Sequence, residues 1–175
     1  MGEQPQRVTC LLFFQWLKPP TLRTVHVPER HRDMVSEIYQ RLRCPIQFGA
    51  RLPPSGQGTL AAKIDAGASR ANVDAETIGE NTVQLIQQTR RELVERAHLE
   101  VIYVDLPLAD PATPFVAEQL ELQGFGFIGI APHFSKRGDL LRLAYLVEPV
   151  HRVAIHLLED IAGEFVDYAL QEQKR

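Results

Sequence analysis

A chain of 175 residues with 45% apolar and 23% charged side chains is long enough for one compact domain and short for two. No apolar run reaches the length of a membrane span and the polar opening Met1 to Arg7 is no signal peptide, so a cytoplasmic domain without membrane attachment is expected. Net charge is −3; residues 1–70 hold ten Lys or Arg against five acids and residues 71–175 nine against seventeen, but the arginines are scattered without interleaved aromatics, which argues against a nucleic-acid surface.

In chain order, Val8 to Leu17 and Leu22 to Val27 are β-rich runs around Lys18-Pro19-Pro20-Thr21, which predicts an antiparallel pair with a stiff connection. His31 to Leu42 places Met34, Val35, Ile38 and Leu42 on one helical face. Gly49 to Gly58 reads as a loop. Leu60 to Ile64 and Ala71 to Val73 read as short strands about a turn at Gly67. The next helix, capped by Asp74 or Thr77, runs to about Ala97 with Val83, Ile86, Leu93 and Val94 in its buried stripe. Leu99 to Leu106 is nearly all apolar, as a central strand should be.

Asp110-Pro111 then starts a short helix that ends at Gly124. Phe125 to Ala131 and Leu140 to Val147 form a hairpin around the polar tip His133 to Asp139. Pro149 opens a last helix with an apolar face through Val150, Val153, Ala154, Leu157, Leu158, Ile161 and Phe165. That face packs on its own sheet or meets a second copy or a partner protein. Interleaved helices and strands argue α/β with a mixed sheet of six or seven strands and Leu99–Leu106 in the centre.

Local motifs carry little chemistry. Cys10 and Cys44 lack CxxC spacing or a nearby base and read as reduced thiols. Gly56 to Lys63 resembles a phosphate loop but lacks its Gly-Lys-Ser/Thr ending. His151 and His156 are five apart, a spacing that does not converge on one helix face, so no metal site is expected. Asp105, Asp110 and Thr113 gather at the C-terminal end of the central strand, where crevices of open α/β sheets lie, and form a candidate ligand crevice. The hairpin tip, with Phe134 among His133, Lys136 and Arg137, is the other polar loop of interest.

The order helix, buried strand, short helix and hairpin, with Leu120-Glu121-Leu122-Gln123-Gly124-Phe125 at the helix end, resembles the C-terminal half of the acetyl-CoA-dependent N-acetyltransferase (GNAT) superfamily, over about Leu60 to Val147. The resemblance implies a single GNAT-like α/β domain, here with an added C-terminal helix. It implies a cofactor pyrophosphate held on backbone amides where a turn enters the long helix, with Ile78, Gly79 and Glu80 as the positions concerned. The family's Arg or Gln and second small residue are absent there, and Asp74, Glu76 and Glu80 surround the turn. Where the family carries a tyrosine general acid, four residues before the Gly of Gly-Phe, this chain has Leu120. Tyr103 and Tyr145 are the substitutes available.

A narrower resemblance rests on Val25-His26-Val27-Pro28-Glu29-Arg30-His31, Glu37 to Leu42, Leu106 to Thr113, Gly124 to Pro132 and Gly138 to Leu143. These are similar to an acetyltransferase-like region found C-terminal to histidine-kinase-type ATPase domains in bacterial anti-sigma regulatory proteins. It implies a signalling or interaction context, with the chain standing alone or forming the C-terminal part of a longer one; the acidic turn Asp74 to Glu80 and Leu120 point to a non-catalytic regulatory or interaction domain with no cofactor. The alternatives are an N-acetyltransferase using acetyl-CoA at a non-standard site and a small-ligand sensor.

Overall fold

The computed structural model describes residues 15–136, 138–152, 155 and 160–173. Its main sheet contains β3 (Thr59–Asp65), β4 (Arg70–Thr77), β5 (Val101–Pro107), β6 (Gly126–Ser135) and β7 (Gly138–Leu146), in the order β3-β4-β5-β7-β6. Only β4 and β5 run parallel; the other neighbours are antiparallel. The parallel pairing starts at Arg70↔Val101 and stops at Asp74↔Asp105, although β4 continues to Thr77 and β5 to Pro107. The strands therefore part at their C-terminal ends, as an acetyltransferase-like fold requires. The fold is mixed α/β, a five-stranded sheet with flanking helices.

Alternation explains what lies on each face. Ala71, Val73, Ile102, Val104, Leu106, Leu141 and Leu143 share one side and are all buried. Over them lie α2 (Thr82–Glu95), through Ile86 and Leu93, and α3 (Thr113–Glu121), through Val116, Ala117 and Leu120. At about 25 cal/mol per Å² of apolar area, this layer is the chief source of stability. The opposite side carries Asn72, Asp74, Tyr103, Asp105 and Arg142. β5 is thus half-polar, unlike a strand covered on both faces.

Several expectations change. Where six or seven strands are expected, the main sheet has five among the described residues, with a separate parallel pair of β1 (Arg23–Val25) and β2 (Ile46–Phe48). Residues 8–14 of the first predicted strand lie outside the described residues, and Gln15 to Leu17 form no strand. The expected pairing of Val8 to Leu17 with Leu22 to Val27 thus falls largely outside the described residues, while α1 (Arg32–Arg41) carries the chain back so that β2 runs beside β1 in the same direction. Neither Asp74 nor Thr77 caps α2: both belong to β4, and Asn81 holds the cap position. The hairpin strands extend into the predicted tip, to Ser135 and from Gly138. Gly124, at φ +88°, follows α3 and lets the Phe125 amide reach back to the Leu120 carbonyl.

The last helix, α4, spans Asp160–Glu172 rather than starting at Pro149. Val153, Ala154, Leu157 and Leu158 lie outside the described residues. α4 lies against β6: Tyr168 meets Phe127 edge-on at 5.7 Å, and Gln173 just beyond the helix donates to the Ala144 carbonyl. Among the described residues no helix is long and apolar enough to cross a membrane.

Candidate functional site

The turn between β4 and α2 is where the fold would present amides to an anion. Here the chain occupies that turn itself. The Gly79 amide donates to Thr82 Oγ1 at 2.8 Å, and the Glu80 amide donates to the Gly56 carbonyl at 3.0 Å. The Thr82 amide bonds the Gly79 carbonyl, and Asn81 Oδ1 accepts from the Gly58 amide at 2.7 Å. Ile78, Gly79 and Thr82 are buried.

Two glycines make this closure possible. A Cβ on Gly79 would collide with Gly58 N and Gln57 C and sit 2.6 Å from the Gly56 carbonyl oxygen; one on Gly58 would collide with Thr82 Oγ1. The loop Gly56 to Gly58 fills the space where a phosphate would need to lie. Glu76 and Glu80 remain exposed at its rim and would repel one. The residues present do not fit an acetyl-CoA pyrophosphate.

The proposed acid positions give no better match. Leu120 is fully buried. Tyr145 packs near Phe125, with the Arg90 guanidinium 4.5 Å from its ring centroid. Tyr103 lies on the open sheet face, in a groove of about 340 Å³ with Asn72, Asp74, Asp105, Phe134 and Arg142. Asp105, 3% exposed, accepts both Arg142 Nε at 2.7 Å and a terminal nitrogen at 2.6 Å. That paired hydrogen bond, together with the field of Asp105, holds the Arg142 guanidinium above its ordinary pKa.

The three residues of the candidate crevice take different duties. Asp105 points onto the open face with Arg142. Asp110 accepts from the Ala112 amide at 2.8 Å, and the buried Thr113 hydroxyl donates to the Pro107 carbonyl at 2.6 Å. Asp110 and Thr113 thus shape the entry to α3.

Two polar clusters were not foreseen. In the first, His31 Nε2 lies 2.5 Å from Glu121 Oε1 and Nδ1 lies 2.7 Å from the Tyr168 hydroxyl, with the ring stacked on Phe127. Ligand atoms of His31, Glu121 and Glu172 lie within 4.8 Å of one another, a donor set able to hold a divalent metal. Arg30, however, already pairs with both carboxylates, so the cluster is a charge-compensated knot tying α4 to α3. His31 lies 90 residues from Glu121 and 137 from Tyr168, separations that no local spacing could reveal.

The second cluster joins the N-terminal segment to the hairpin. Asp139, 6% exposed, pairs with Arg23 and accepts from the Tyr39 hydroxyl at 2.6 Å and the His133 amide at 2.9 Å. Burial raises the Asp139 carboxyl, but bonds from Arg23, Tyr39 and His133 outweigh it and hold it below its ordinary pKa. Burial first, then the bond to Asp139, pushes the Tyr39 phenol up. The Arg23 guanidinium also lies 4.7 Å from the Trp16 ring centroid.

No family model and no curated protein matches the sequence. Two solved structures are similar in part. One, described as "Probable acetyltransferase", shares 15% identity over 51% of this chain and 55% of its own, at a TM-score of 0.41. This chain thus spans about half the length of that neighbour. The other, a point variant of the spermidine N-acetyltransferase SpeG from Vibrio cholerae, shares 16% identity over 65% of this chain and 74% of its own, at a TM-score of 0.40. The topology described above stands on strand order and register alone.

Proposed function

We propose that this chain is an acetyltransferase-like domain that does not use acetyl-CoA and serves a regulatory or protein-interaction role in bacterial signalling. The observation that carries the reading is the closed turn: the Gly79 and Glu80 amides are spent on Thr82 and Gly56 of the same chain. Reopening it means breaking these bonds and moving the Gly56–Gly58 loop. The buried Leu120 at the general-acid position supports the same view. Calorimetric titration with acetyl-CoA tests it. No saturable heat up to about 1 mM is expected; a dissociation constant in the micromolar range would overturn the reading.

A second reading, an N-acetyltransferase with a rearranged site, is favoured by the parting of β4 and β5 beyond Asp74 and Asp105 and by Tyr103 in the adjoining groove. Its test is consumption of acetyl-CoA in the presence of primary amines, lost in Tyr103→Phe. A small-ligand sensor would use the same groove beside Asp105. A docked protein partner or a second copy on α4 belongs to the main reading.

A further inference from the structure

The seam between Gln15–Arg23 and the β6–β7 hairpin holds an open cavity of about 540 Å³, a size ordinary for small-molecule sites. Among the described residues no carboxylate lines it. Its polar walls are Lys18, Arg23, His133, Thr21 and Gln15, with Trp16 as the aromatic surface. Lysine and arginine can only donate hydrogen bonds.

The geometry also settles the imidazole. An arginine terminal nitrogen donates to His133 Nε2 at 2.6 Å, so the neutral ring carries its proton on Nδ1. That N–H has no partner among the described residues and is a further donor. Two features hold this arrangement in place. Asp139 and Tyr39 fix Arg23 from behind, and His133 is held at φ +55°, a backbone region uncommon for a non-glycine residue, while its amide binds Asp139. Trp16 is pinned by its indole N–H on the Leu42 carbonyl at 2.8 Å, with its ring 5.3 Å from His133 edge to face.

We propose that this seam binds a small organic anion through a phosphate or carboxylate group, held by Lys18, Arg23 and the His133 Nδ1–H beside Trp16. The site is separate from both the α2 turn and the Asp105 groove, so its failure leaves those readings untouched.

Trp16 is the sole tryptophan, which makes its emission a direct reporter. The full chain is titrated with inorganic phosphate and with citrate, against sodium chloride at matched ionic strength. A saturable change with phosphate, with citrate or with both, absent in chloride, is expected, and the responding arm identifies the class. Lys18→Gln, at an exposed position, should weaken that binding about tenfold. His133→Gly, which suits the positive φ and removes the Nδ1 donor, should weaken it similarly. An unsaturable response, the same response in chloride, or binding unchanged in both variants would overturn the proposal.

Discussion

The two ends of this molecule treat hydrogen-bond donors in opposite ways. At the start of α2 the backbone amides of Gly79 and Glu80 point where an anion would sit, and the chain uses them up on Thr82 and the Gly56 carbonyl. At the Arg23 seam the donors are side chains, and only part of their capacity is spent, on Asp139 and His133. A helix N-terminus is therefore a ligand site only where no neighbouring loop reaches it first. A basic cavity is one only where a buried acid fixes the cations without neutralising the whole wall.

The largest expected effect lies at the seam. Asp139→Asn removes the charge that Arg23 and Tyr39 share and should cost about 3 kcal/mol in denaturant unfolding. A cost below about 1 kcal/mol would mean that the pair is solvated and the seam is not fixed. The same contact predicts a stability plateau with two edges. The folded Asp139 carboxyl titrates below its ordinary value, so its contribution is present above about pH 4 and fades as pH falls toward the folded value. The folded Tyr39 phenol titrates above its ordinary value, so stability declines as pH rises past about 10 and the unfolded phenol ionises. Unfolding midpoints across that range would show both edges in the native chain, and neither edge from this pair in the double variant Asp139→Asn/Tyr39→Phe.

The next effect lies at the turn. Gly79→Ala forces a methyl group into the Gly56–Gly58 loop and should cost about 2 kcal/mol. Gly67→Ala, whose Cβ would meet nothing nearer than Asp65 Oδ1 at 3.8 Å, should stay within about 0.5 kcal/mol. Equal melting temperatures for the two variants would mean that the turn is open in solution.

What was legible in the sequence follows from how local each signal is. The stripe of Ile86 and Leu93, the run Leu99 to Leu106 and the glycine at 124 are periodic or single-residue signals, and each marks its element. The β1–β2 pairing joins three-residue strands across an intervening helix, and nothing in either strand names its partner. Asp105 was readable as out of place in an apolar strand, but its partner Arg142 lies 37 residues away. Asp110 and Thr113 stood near it in sequence, but their side chains are spent on the Ala112 amide and the Pro107 carbonyl in the turn before α3, where Ala112 rather than Asp110 holds the cap position. The acids around Gly79 hinted at a lost anion site. That the loop at Gly56 fills it depends on the tertiary contact between Gly58 and Gly79, 21 residues apart, which no motif records.

The smallest effect concerns α4. Tyr168→Phe removes the hydroxyl that meets His31 and donates to the Arg30 carbonyl at 3.2 Å, and should cost about 1 kcal/mol. Proteolysis near the α4 junction should rise with it; an unchanged digestion pattern would place the hold of α4 in its apolar contacts with Phe127 instead.

The closed turn is tested most directly by following the backbone amides of Gly58, Gly79 and Glu80 in proton–nitrogen correlation spectra while acetyl-CoA is added. The account predicts three amides protected from solvent exchange, with resonances that do not move up to about 1 mM ligand. Fast exchange at Gly79 and Glu80 in the free protein, or saturable shifts confined to these residues and the first turn of α2, would contradict it.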